Sequence, residues 1–244
     1  MKTRHLIFLT LFLVPTSLLA QKPLEGVDAQ NNVNALGGNY NPTNNTVRVF
    51  DERYKGFKGT ACFFDHWYPT DILFQNGMKY EKMMTKLDIY KQQELVVFRK
   101  EKKDSITLKD ESIKAFVIEN TDKGKKHTFK RFQVGENKLG DFCEVLHEGK
   151  YSLIAHHTKT ILAADFKGGY SVQRFYDEFI LSVEFYIVSP DNQVIKLKKS
   201  KKALSKILNQ YPKEFGDYLD KNDIDFKKEE TIASAVAFYN GLLK

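Results

Sequence analysis

Apolar and polar positions alternate in short blocks over most of this chain, and the blocks have the length of strands. Residues 47–50, 58–64, 71–74, 84–90, 94–98 and 113–118 are such blocks, with no helical period between them. Residues 84–90 alternate apolar and polar side chains, as a half-buried strand does, whereas 94–98 is continuously apolar, as a strand covered on both faces is. Asn76-Gly77 predicts a tight hairpin turn, since both residues tolerate positive φ. Residues 142–157 predict a second hairpin around a two-residue turn at Glu148-Gly149. In that register Leu146 faces Tyr151, Glu144 faces Leu153 and Phe142 faces Ala155, and Phe142, Leu146, Tyr151, Leu153 and Ala155 line one apolar face. Residues 177–188 form a long late strand that 190–193 turn back into 194–197. Short strands at regular spacing predict a mainly β (α+β) fold, an antiparallel meander forming a barrel or sandwich.

After Lys199 the period changes. Leu204, Ile207, Leu208 and Tyr211 fall at helical spacing behind Ser200 as N-cap. Pro212 stops or restarts that helix. Phe215, Tyr218 and Leu219 mark a second helix, and Ile232, Val236, Tyr239 and Leu243 a third. Helices this short are not stable alone, so the tail must pack on the β domain or on itself.

The N-terminal pattern is different again. Lys2, Arg4 and His5 precede an apolar run from Leu6 to Val14, and Ala20 offers a small residue at a cleavage point. That order is a secretory signal peptide. The run is shorter than the ~20 residues that cross a bilayer. The expected organisation is a signal peptide over 1–20, a flexible Asn/Gly-rich extension over 21–45, an antiparallel β domain over 46–199 and a helical tail over 200–244. The expected address is the periplasm or cell surface, and the protein is not expected to be integral to a membrane.

Composition sharpens this picture in three ways. Nineteen Phe and twelve Tyr against one Trp, within an apolar share of 42%, predict an aromatic β core. The net charge of +7 is concentrated in three lysine clusters. These are Lys100, Lys102 and Lys103; Lys123, Lys125, Lys126, Lys130 and Arg131; and Lys196, Lys198, Lys199, Lys201 and Lys202. Basic patches attract polyanions, which for an exported protein means lipopolysaccharide, a phospholipid surface or acidic glycan rather than nucleic acid. The plainer reading is solvated lysines on turns and strand edges. Finally, Cys62 and Cys143 are the only cysteines. Export permits a disulfide between them, while their place inside strand-like runs also suits buried free thiols.

Enzymatic signatures are absent: there is no G-x-S-x-G, no H-E-x-x-H, no phosphate-cradling Gly loop and no C-x-x-C. No cofactor or metal is expected. His156 and His157 are neighbours, so on a strand they point to opposite faces and cannot share a metal. His147 and His156 would sit about 20 Å apart along the hairpin. The most unusual cluster is Asp65-His66-Trp67-Tyr68-Pro69, in which Asp65 could orient His66 and Trp67 could form a binding wall; a structural corner at a strand end is the alternative. His66, Trp67 and the five lysines from Lys196 to Lys202 are the candidate binding residues.

Several of these stretches together resemble a family. They are residues 46–56 leading into Lys58-Gly59-Thr60-Ala61-Cys62-Phe63-Phe64-Asp65-His66-Trp67, then Gly77-Met78-Lys79-Tyr80, Leu87-Asp88-Ile89-Tyr90-Lys91-Gln92-Gln93-Glu94-Leu95 and Phe238-Tyr239-Asn240. The chain is similar to exported Bacteroidetes proteins that share a G-x-P-Y/F-L-x-x-x-W segment, a D/N-x-Y-x-x-x-E-L segment and a C-terminal helix ending in Y-Y-N. Ala61-Cys62 stands where that family shows proline and an aromatic, which makes Cys62 a substituted packing position. The resemblance implies export and a β-then-helix layout, and it transfers no catalytic residue. The functional expectation is a non-enzymatic structural, accessory or partner-binding protein. A binder of an anionic envelope component through the lysines is the alternative, and an enzyme with an unrecognised site a third.

Overall fold

Among the described residues, ten antiparallel strands are followed by three α-helices, the β-then-helix order that the residue pattern implies. The structure is a computed structural model and describes residues 56–90, 94–108, 110–165 and 176–243. The expected signal peptide, the 21–45 extension and the 47–50 strand lie outside the described residues. The strands are β1 (Tyr68–Phe74), β2 (Lys79–Asp88), β3 (Glu94–Arg99), β4 (Asp104–Thr107), β5 (Ile113–Asn120), β6 (Lys125–Phe132), β7 (Asp141–His147), β8 (Ser152–Leu162), β9 (Glu178–Val188) and β10 (Val194–Leu197). Helices α1 (Lys201–Ile207), α2 (Pro212–Lys221) and α3 (Glu229–Leu242) complete the chain. No helix among the described residues is long and apolar enough to cross a membrane.

The strands form one sheet in the order β10-β9-β8-β7-β6-β5-β1-β2-β3-β4. It is not closed into a barrel, because β10 and β4 stay separate edges. It does curl strongly. The Lys159 backbone N–H on β8 donates to Ile89 O just past β2, at 3.0 Å. The Lys159 ammonium donates to Thr60 O at 2.7 Å and Cys62 O at 2.6 Å, tying the chain before β1 into this seam. Ile89 N–H donates to Ala61 O at 3.1 Å, and Phe63 N–H to Leu87 O at 2.7 Å. The expected strand over 58–64 is therefore a seam with isolated bridges at Lys58 and Cys62 rather than a ladder strand.

Aromatic packing fills the concave face. Phe116 stacks on Phe129 at 5.0 Å and meets Phe142 edge-on at 4.9 Å, within a cluster that includes Ile72, Met83, Leu87, Val97 and Ile118. A second cluster joins sheet to tail: Leu153, Ala155, Phe185 and Ile187 pack with Leu204, Leu208, Phe215, Leu219, Ile232, Val236 and Tyr239. The tail thus shares a core with the sheet. Ser200 caps α1, its Oγ accepting from Ala203 N–H at 3.2 Å, and Pro212 opens α2. The stripe Ile232, Val236, Tyr239 and Leu243 is buried along α3. Continuous burial of Leu95, Val96 and Val97 fits the unbroken apolar run of β3.

Three expectations need correction. The 142–157 hairpin pairs Glu144 with Ala155, Val145 with Ile154 and His147 with Leu153. A bulge at Leu146 shifts the register, and the loop spans 148–151 rather than two residues. Its physical cause lies in the tail: Asn240 Oδ1 accepts from Tyr151 N–H at 2.9 Å and its Nδ2 donates to Tyr151 O at 2.8 Å, removing Tyr151 from the ladder. Of the pair Asn76-Gly77 only Gly77 has positive φ (84°), and Phe74 N–H donates to Met78 O at 2.9 Å around a three-residue turn. Lys125, Lys126, Lys130 and Arg131 lie on β6 and not on a turn, because the intervening His127 and Phe129 point into the core. Of the two readings open for the cysteines, the structure has the second: Cys62 and Cys143 are buried free thiols. Cys143 packs with Ile154 and Tyr186 on the convex face, whereas Cys62 sits in the seam opposite Asp88. Burial and then Asp88 push the Cys62 thiol up to about 11, and burial raises Cys143 as well.

Candidate functional site

Side chains alternate between the two faces of a strand, so the register decides which polar groups meet. Glu144 on β7 pairs with Phe129 on β6 and with Ala155 on β8. His127 and His157, each two residues away along those neighbouring strands, therefore share its concave face on opposite diagonals. The Glu144 carboxylate takes a hydrogen bond from each imidazole: His127 Nδ1 donates to Oε1 at 2.7 Å, and His157 Nε2 to Oε2 at 2.9 Å. All three residues are buried. Burial opposes the Glu144 charge, but the bonds from His127 and His157 outweigh it and hold the carboxyl at about 2.

Two other parts of the chain reach this cluster. The Phe63 ring from the seam meets His157 at 4.8 Å and His127 at 5.6 Å, and Phe64 meets His127 at 5.1 Å. The second is the tail, which brings the half-buried Glu229, the first residue of α3. One oxygen each from Glu144 and Glu229 and one nitrogen of His157 lie within 4.8 Å of one another. Burial and then the Glu144 charge raise the Glu229 carboxyl above its ordinary range. Two carboxylates and two imidazoles thus converge where water access is poor. Such a set can hold a proton or a hard-to-borderline cation.

The residues anticipated from sequence lie elsewhere. Asp65 and His66 are exposed. Trp67 is half-buried, 5.5 Å from the Phe98 ring, with the Lys86 ammonium 5.2 Å from its centroid. His156 faces away from His157, on the convex side, with Nε2 at 3.6 Å from Asp141 Oδ2. Burial lowers the His156 pKa against the pull of Asp141. Lys196 is ion-paired with Glu184, Lys201 with Asp220 at 3.6 Å, and Lys199 sits 5.4 Å over the Phe185 ring. Lys198 and Lys202 are exposed. The junction therefore does not present five free ammonium groups on one surface.

Sequence reasoning missed His127, Glu144 and Glu229, and considered His157 only beside His156, with which it cannot share a metal. The available signal was Phe142-x-Glu144 and His127-x-Phe129: a charged or titratable residue in phase with aromatic core positions.

A further surface stands out at the far end of the β8–β9 ribbon. Leu162, Tyr176, Ile180 and Leu181 are 39%, 63%, 41% and 52% exposed. Thr160 pairs with Ile180 and Lys159 with Leu181, so the two adjacent apolar residues of β9 point to opposite faces. β10 pairs only with 185–188, and among the described residues no strand pairs with the edge of β9 away from β8 between Ile180 and Glu184.

No family model, curated protein or solved structure matches the chain.

Proposed function

We propose that this is an exported, non-enzymatic accessory or binding protein of the periplasm or cell surface, and that its partner is an envelope protein engaged by the end of the β8–β9 ribbon. The observation that carries the reading is the gathering of Leu162, Tyr176, Ile180 and Leu181 at one ribbon end, exposed on both faces. Large apolar side chains left exposed together at one place mark protein interaction sites. An extended segment of a partner, added to the β9 edge, covers both faces at once, its backbone supplying the hydrogen bonds. The basic start and apolar run of residues 1–20 support the address, as does the resemblance to exported Bacteroidetes proteins. Three of the five lysines at the β10–α1 junction are engaged within the chain, so an anionic partner there is the weaker reading.

A photo-reactive residue placed at Leu181, with another at Lys206 on α1 as control, tests this in the native cell. The expected result is a protein adduct from position 181 alone, on a chain processed near Gln21, reduced at least fivefold by Ile180→Lys. Equal adducts at both positions, no adduct at 181, or an unprocessed Met1 terminus would overturn the reading.

A further inference from the structure

We propose that Glu144, His157 and Glu229 bind a divalent transition-metal ion, best represented by zinc, between the curled sheet and the helical tail. The three candidate ligand atoms already lie within 4.8 Å of one another, and His157 Nε2 stands 2.9 Å from Glu144 Oε2. Ligands about 2.0–2.1 Å from a tetrahedral zinc ion are roughly 3.3 Å apart, so the site needs only small side-chain movements. One imidazole and two carboxylates make a nitrogen–oxygen donor set, with a water as fourth ligand. Cys143 cannot join them, since it precedes Glu144 on the same strand and faces the other side.

His127 is a positioning residue. Its bond to Glu144 Oε1 fixes the carboxylate so that Oε2 is the oxygen turned to His157. Orientation of a ligand through its second atom is how outer groups tune a metal site. The phenyl rings of Phe63 and Phe64 close one side and keep bulk water out. A cation between the two carboxylates relieves their mutual repulsion, which without it is met only by the bonds from His127 and His157 to Glu144. The ion takes the place of the His157 Nε2 proton, because ligands bind deprotonated. Glu229 comes from the tail and the other two from the sheet, so the ion would join the two.

The chain from Gln21 onward, stripped with chelator, is titrated with zinc by calorimetry and with cobalt by visible absorption, beside the variants Glu229→Gln and His157→Gln. Expected are one equivalent of zinc, cobalt d–d bands of a four-coordinate site, and a higher melting temperature with zinc. Glu229→Gln, at a half-buried helix start, should melt like the metal-free wild type yet bind at least tenfold more weakly. His127→Gln should retain one equivalent with altered cobalt bands. Failure of the wild type to bind one equivalent would overturn the proposal, and so would unchanged affinity in Glu229→Gln.

Discussion

Tyr239 shows how much one side chain can hold. It is fully buried, edge-on to Phe215 at 5.0 Å and to Tyr151 at 5.5 Å, and its hydroxyl accepts from Gln210 N–H at 3.0 Å. Replacing it by alanine should cost about 3–5 kcal/mol, as aromatic-to-alanine changes in cores do. Tyr239→Phe should cost about 1 kcal/mol, the worth of one hydrogen bond, since exposed Gln210 can turn its N–H to water. Chemical denaturation of both variants checks the difference, and equal losses would mean that the hydroxyl, not the ring, does the holding. Asp104 makes an electrostatic counterpart. Buried Arg99 donates to it from Nε at 2.6 Å and from Nη2. That bonding, against a smaller opposing effect of burial, keeps the Asp104 carboxyl below its ordinary 3.8. The folded state therefore binds this proton less tightly than the unfolded state. The stabilisation is complete above that ordinary value and is lost as pH falls through the lowered one. Wild type should be more stable than Asp104→Asn at pH 6, with a smaller gap at pH 3; urea midpoints at the two pH values measure it.

Among the elements, the β7–β8 hairpin and α3 form one unit. Asn240 reads the Tyr151 peptide with both atoms of its amide, and the Lys150 ammonium donates to Leu243 O at 2.7 Å. Phe238 stacks on Tyr218 at 4.0 Å. The Phe238-Tyr239-Asn240 segment is therefore the tail's lock: one residue for α2, one for the core and one for the hairpin loop. Gly149 lies so near that an added Cβ would stand 2.5 Å from Asn240 Nδ2. Asn240→Ala should cost about 1–3 kcal/mol through two lost bonds to a half-buried peptide. Gly149→Ala should destabilise by pushing Asn240 aside. In the double variant that clash has no partner, so the combined cost should be less than the sum, as for residues in contact. Additive costs in such a cycle would show that the loop and Asn240 act independently.

At the scale of the whole molecule, the tail has no core of its own: its buried residues all belong to the cluster it shares with the sheet. Leu153, Ala155, Phe185 and Ile187 are covered by the helices, and α3 lies across β7 and β8. Calorimetry of the chain from Gln21 should show a single cooperative transition in which strand and helix signals melt together. Truncation after Lys199 should leave those four side chains in water and yield a protein that aggregates rather than a smaller folded domain. Two resolved transitions, or a soluble and cooperatively folding truncated chain, would show that the tail is a separate unit.

Much of this fold is written in local residue order, because alternation and capping depend on neighbours in the chain. The run of β3, the Ser200 cap, the Pro212 start, the Ile232–Val236–Tyr239–Leu243 stripe and the opposed faces of His156 and His157 all follow from spacing of a few residues. Other features depend on partners far away along the chain. β6 was hidden because its lysines conceal the inward pair His127 and Phe129. The bulge at Leu146 was hidden because Asn240, some ninety residues on, sets it. Glu144 sits in phase with Phe142, yet a carboxylate on an apolar face is intelligible only when its partners are known. Those partners arrive from β6, β8 and α3, three elements brought together by register, sheet curl and helix docking. Periodicity can say which face a residue occupies. Only the tertiary structure decides what waits there, because burying a charge is tolerable just where distant parts of the chain supply its counter-charges and hydrogen bonds.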